Sequence, residues 1–106
     1  MNERRYTGVV LRELKRLADL AASRELDLKL RDIASGLNRW EKGLMSSSDT
    51  LAEIERLSGS SSMARLRGED PGVFAAHAVS AGFLERKDFS DAAWKAVDVL
   101  ITLAGI

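Results

Sequence analysis

The sequence has no cysteine, which removes disulfide staples, thiolate zinc sites and a cysteine nucleophile, and agrees with a reducing compartment such as the cytoplasm. It has one proline, so almost nothing interrupts a helical hydrogen-bond ladder. It has one histidine, His77, and lacks the Glu-x-x-His spacing with which helical bundles hold metals, so no metal site is expected. Neither sign of charge is in excess: 16 Lys plus Arg balance 16 Asp plus Glu, and no global field draws the chain to nucleic acid or to an anionic membrane. Long apolar runs are missing as well. The most apolar stretch, residues 99–106, falls well short of the ~20 residues of a spanning helix. Arg12, Glu13, Lys15 and Arg16 break up the N-terminal segment, so neither a membrane span nor a secretory leader is expected. Neither Gly-x-Gly-x-x-Gly nor a Walker pattern occurs, and no alternating strand pattern exists to carry one, so no cofactor or nucleotide is implied.

What is present describes a folded helical chain. Apolar residues make up 45% and charged residues 30% of 106 residues, enough for one core and one domain spanning residues 1–106. At about 100° per residue, Tyr6, Val9, Val10, Leu14, Leu17, Leu20 and Ala21 share a side, which predicts a first helix over 6–23. Glu13 intrudes on that apolar side and needs a partner. Leu26, Leu30, Ile33, Leu37, Trp40 and Leu44 follow at spacings of four, three, four, three and four, a heptad-like seam that predicts a second helix over 27–43, flanked by the (i, i+4) pairs Glu25 with Lys29 and Asp27 with Arg31. This seam is out of phase with the first, which places a break near residues 23–27. One helix of nearly forty residues is the alternative, disfavoured only by its length.

Gly43 and the serines at 46–48 end the second helix, and Thr50-x-x-Glu53 reads as a capping box opening a third over 51–58. The run at 58–62 is coil in composition and the expected first site of proteolysis, with a short turn at 63–67 beyond it. Asp70 as N-cap and Pro71 at the first helical position open a fourth helix over 71–81, apolar nearly all round and therefore central, closed by Gly82. Phe89, Ser90 and Trp94 have the spacing of a hydrophobic staple around an N-cap, which starts a fifth helix over 91–104. The expected fold is all-α, a compact four- or five-helix bundle.

No residue pattern marks a catalytic site. His77 lacks a positioned acid or nucleophile other than the nearby Ser80, and reads as a packed or rim histidine. A helix-turn-helix centred on Gly82 fails because Glu85, Asp88 and Asp91 occupy the segment that would face phosphates. Two surfaces remain. On the fifth helix Asp91, Lys95, Asp98 and Thr102 form one narrow polar stripe, which leaves more apolar arc than one neighbour covers. Trp94, Val97, Val99, Leu100 and Leu103 are accordingly the candidate interface for a protein partner or a second copy. Residues 1–42 hold ten Lys or Arg against seven Asp or Glu, which makes Arg5, Arg12, Lys15 and Arg16 candidate phosphate contacts. The leading expectation is a non-enzymatic helical interaction or assembly protein, a homodimer or a small subunit of a complex. A nucleic-acid-binding helical module is the alternative. No small-molecule ligand is implied.

Overall fold

The computed structural model describes residues 6–59, 63, 68 and 70–104, which form four α-helices and one 3-10 turn and, among the described residues, no strand. The helices are α1 (Gly8–Glu41), α2 (Ser47–Ser58), α3 (Pro71–Ser80) and α4 (Asp91–Ala104), with the 3-10 turn at Arg86–Asp88. The fold is all-α, as the periodicity predicts. The proposed break at 23–27 does not exist. The first and second predicted helices are one helix of 34 residues, because residues 23–27 hold neither glycine nor proline and include the strong helix formers Arg24, Glu25 and Leu26. A change of hydrophobic phase does not require a break; it requires only that the two halves of one rod face different neighbours.

At 1.5 Å per residue α1 is about 51 Å long, and it sets the long dimension of a molecule measuring 54 × 25 × 25 Å. The radius of gyration is 17.1 Å, against about 13 Å for a compact domain of this length. The excess comes from division of labour along the rod. The N-terminal half of α1 packs against α3 and α4 to form a body, and α2 folds back on the C-terminal half to form an arm. The core lies in the body: Val10, Leu14, Leu17 and Ala21 of α1 meet Phe74, Ala75 and Ala78 of α3 and Ala93 and Val97 of α4, with Met63, Leu84 and Phe89 closing the ends. The alanines let α3 approach α1 and α4 closely; the helix expected to be central has two helical neighbours, and α1 is the one that touches the other three.

Helix ends follow local chemistry with one exception. Thr7 caps α1 by accepting from the Val10 N–H. At its far end Gly43 adopts a positive φ of 75°, and the N–H groups of Gly43 and Leu44 bond back to the carbonyls of Trp40 and Arg39, a Schellman closure that favours glycine. Gly82, with φ 87°, closes α3 in the same way through Gly82 and Phe83 onto Val79 and Ala78. Ser90 accepts from the Ala93 N–H, and Phe89 packs edge-on against Trp94 at 5.3 Å, as the staple pattern predicts. The exception is α2. Its cap is Ser46, which accepts from Asp49 N–H, and Thr50 lies inside the helix, buried, with its hydroxyl donating to the Ser46 carbonyl. The expected capping box at Thr50 is therefore corrected by one turn, since a serine earlier in the run supplies the first acceptor.

Among the described residues three polar ties join the N-terminal segment and α1 to the start of a later element, besides the buried Glu25 carboxylate that accepts from the Met63 N–H at 3.4 Å. The Tyr6 hydroxyl donates to Asp70 at 2.6 Å, and the same carboxylate caps α3 by accepting from Gly72 and Val73. A Cβ on Gly72 would collide with the Tyr6 ring, so this corner requires glycine. Glu13 accepts from the backbone N–H and hydroxyl of Ser90 at 2.7 and 2.6 Å, placing a negative charge at the N-terminus of α4. Arg24 is the third. The cleavage expected at 58–62 and the turn at 63–67 fall largely outside the described residues, although Met63 itself is buried in the core.

Replacing Asp70 with alanine removes the α3 cap and leaves the Tyr6 hydroxyl without this partner, and should cost about 1–2 kcal/mol in chemical denaturation. His77, which is exposed, should tolerate alanine within about 0.5 kcal/mol.

Candidate interaction surfaces

Among the described residues no group of three or more His, Asp or Glu side chains is arranged to hold a metal ion. None of their helices is long and apolar enough to cross a membrane. The surfaces to weigh are therefore a polar cleft, an apolar edge on the body, an apolar strip on the arm and the basic side chains of α1.

The polar cleft, about 520 Å³, lies where α1 passes the end of α3, between Arg24, Asp27 and Arg31 on one wall and Gly82, Phe83 and Glu85 on the other. Of the charged groups that line it, Arg24 is engaged in holding the fold. Arg24 donates to both Asp88 oxygens at 2.7 and 3.0 Å and to the Phe83 carbonyl at 2.9 Å. Asp88 also accepts from the Glu85 N–H at 2.8 Å, closing the 3-10 turn. The bidentate bonds from Arg24 are the main reason the Asp88 carboxyl is lowered to about 2; the Glu85 N–H and nearby positive charge act in the same direction, and burial opposes them.

The apolar edge belongs to α4. A shallow groove of about 280 Å³ is lined by Val73, Ala76, His77, Leu100 and Leu103, and places His77 at its rim. Of the interface residues proposed from sequence, Val99 and Leu103 are mostly exposed and Leu100 is half-buried. Val97 is fully buried in the core, and Trp94 is half-buried, packed against Phe89 and covered by the Arg86 guanidinium 5.1 Å from its ring centre. These two face inward because α3 and α1 occupy that side of α4. The apolar arc is thus wrapped on one side and uncovered at Val99 and Leu103.

The apolar strip runs along the arm. Core residues Val10, Leu14, Leu17 and Ala21 lie about 150° around α1 from Leu26, Leu30, Ile33, Leu37 and Trp40, at 100° per residue. The seam consequently points away from the body, and α2 covers only one flank. Leu26, Leu30, Leu37, Trp40 and Leu44 remain exposed, as does Leu51 of α2. Between the two helices an apolar groove of about 190 Å³ is lined by Leu37, Trp40, Thr50, Leu51 and Ile54, with Ser47 at its end. The Trp40 indole N–H donates to the Ser47 hydroxyl at 2.8 Å, which fixes the ring and satisfies its polar atom.

Arg12, Lys15 and Arg16 are exposed on α1; Arg5 lies outside the described residues. Sequence periodicity finds the arm seam as a heptad-like helix, and its exposure has no local signal. Comparison with protein-family models, with curated proteins and with solved structures gives no match to this chain.

The Arg24 tie has a pH signature. The Asp88 carboxyl is lowered from 3.8 to about 2, so the stability it contributes is present above the ordinary carboxylate range and is lost as pH falls toward 2. In an NMR titration Arg24→Gln should move the Asp88 midpoint up toward 3.8; an unchanged midpoint would mean that Arg24 does not hold this carboxylate.

Proposed function

We propose that this chain is a non-enzymatic helical assembly protein, acting through packed helix surfaces as a homodimer or as a small subunit of a complex. The observation that carries this reading is the quantity of large apolar side chain left uncovered in two patches, the arm strip and the Val99–Leu103 edge of α4. Contiguous apolar surface of this kind is costly in water and marks sites of association. The titratable groups with the best-defined geometry, Asp70, Glu13, Arg24 and Asp88, are hydrogen-bonded partners in fold-holding ties. The lack of cysteine suits action in a reducing compartment such as the cytoplasm. The α4 edge, with Leu100 beside Val99 and Leu103, is proposed as a contact edge for a protein partner.

Sedimentation velocity over a range of concentrations tests this reading. The expected result is a species heavier than the 11.6 kDa chain, shifting toward monomer on dilution; a monomer at every concentration would remove the homodimer.

Nucleic-acid binding is the second reading, favoured by the exposure of Arg12, Lys15 and Arg16 on a single rigid helix. It requires binding of labelled RNA or DNA that weakens steeply with salt, with each lost cation reducing the salt slope by about one.

A further inference from the structure

We propose that two copies of this chain pair through their arms, antiparallel, with the leucine strip of one α1 laid on the strip of the other and the two α2 helices completing a four-helix contact. This rests on the assembly reading above and names its surface.

Area separates the arm from the α4 edge. The arm exposes six large apolar side chains, Leu26, Leu30, Leu37, Trp40, Leu44 and Leu51, at 42% to 73%, whereas the α4 edge exposes Val99 and Leu103. At roughly 100 Å² per side chain the arm presents on the order of 600 Å², close to the ~800 Å² per partner that a stable dimer buries, and the α4 edge only about 200 Å². The groove between Leu37, Trp40, Leu51 and Ile54 gives this strip a concavity that receives side chains from a facing helix. Burying Trp40 leaves no orphan donor, because its N–H already has Ser47.

Spacing and charge select the orientation. Within the helix the intervals three, four and three between Leu30, Ile33, Leu37 and Trp40 read the same in both directions about Ser35. In a two-fold antiparallel pair Leu30 therefore meets the partner's Trp40 and Ile33 meets the partner's Leu37. A parallel pair would align the seams equally well. It would also bring Arg12, Lys15 and Arg16, which at 100° per residue lie on the same side of α1 as the leucines, against their own copies. That side of α1 holds one acid, Asp19, against the three cations, and the net positive charge facing its own copy opposes that arrangement. In the antiparallel register the basic segment of each copy extends past Glu41, where the partner's α1 ends, and the repulsion is absent. The second copy is thus specified by a palindromic seam, sufficient area and the placement of like charge.

The experiment uses the full chain and its lack of cysteine. Leu30→Glu with Leu37→Glu should weaken self-association about 100-fold or more in sedimentation equilibrium, with the helical circular dichroism of the body retained. Val99→Glu with Leu103→Lys should leave the dimer intact. Orientation is read by oxidation: Leu30→Cys with Trp40→Cys should give a covalent dimer, and Leu30→Cys alone should not. A dimer that survives the arm substitutions and dissociates with the α4 pair would overturn the arm proposal while leaving the assembly reading standing. Efficient crosslinking of Leu30→Cys alone would overturn the antiparallel register. A wild-type monomer at all concentrations would overturn the arm pairing and the homodimer together, leaving the subunit of a larger complex as the assembly reading. If the arm substitutions reduce helicity, the crosslinking pair decides, because its two cysteines introduce no charge into the strip.

Discussion

Everything in this molecule depends on the continuity of α1. An α-helix turns by about 100° per residue and cannot change phase without a kink, a bulge or a break. A rod of 34 residues whose apolar residues shift phase near Glu25 must therefore bury one half against one set of neighbours and present the other half elsewhere. Its first half meets α3 and α4 and makes a body. Its second half, facing about 150° away, packs mainly against α2 on one flank among the described residues and makes an arm. Elongation, exposed leucines and division into body and arm are consequences of that one geometrical fact.

Polar ties decide which neighbours the first half meets. Hydrophobic burial in the body is not directional, and the alanines at 75, 78 and 93 would permit several sliding registers of α1 over α3 and α4. Tyr6 to Asp70, Glu13 to Ser90 and Arg24 to Asp88 permit one. Each joins a side chain of the N-terminal segment or α1 to the beginning of a later element: the α3 cap, the α4 cap and the 3-10 turn. A capping residue that also receives a distant partner does two things at once, because the bond that starts a helix is the bond that positions it. Arg24 is the last of these ties along α1, close to the point where the rod leaves the body.

The sequence was legible where the chemistry is local. Asp70 before Pro71, Gly82 after α3, Gly43 after α1 and Ser90 between Phe89 and Trp94 each act within a turn of their own position, and each is found in the predicted role. Glu13 was visible only as a misplaced charge, since its partner lies 77 residues away. Val97 and Val99 are indistinguishable in composition, and only the position of α3 and α1 buries one and leaves the other exposed. The phase change near residue 25 points to a break only while a helix of nearly forty residues is set aside on length, and with no glycine or proline at residues 23–27 the rod runs through. Thr50 misled for a smaller reason, since a hydroxyl inside a helix can bond its i−4 carbonyl, as Thr50 does to Ser46, and leave capping to an earlier serine.

The arm is also energetically unlike the body. Of the twelve residues of α2 only Thr50 is buried, and a helix of that length is marginal unless an apolar face is covered. Its cover is α1 on one side, with Trp40 held to Ser47, and Leu51 and Ile54 open to the groove on the other. Whatever fills that groove adds burial to both helices at once, so occupancy of the strip and ordering of α2 form one linked equilibrium. The body, closed by its own core and by three ties at its helix ends, does not share in it. A chain built this way keeps a stable half that holds the rod in position and a half whose stability depends on what it touches, and for an assembly protein that dependence is the means by which binding is coupled to structure.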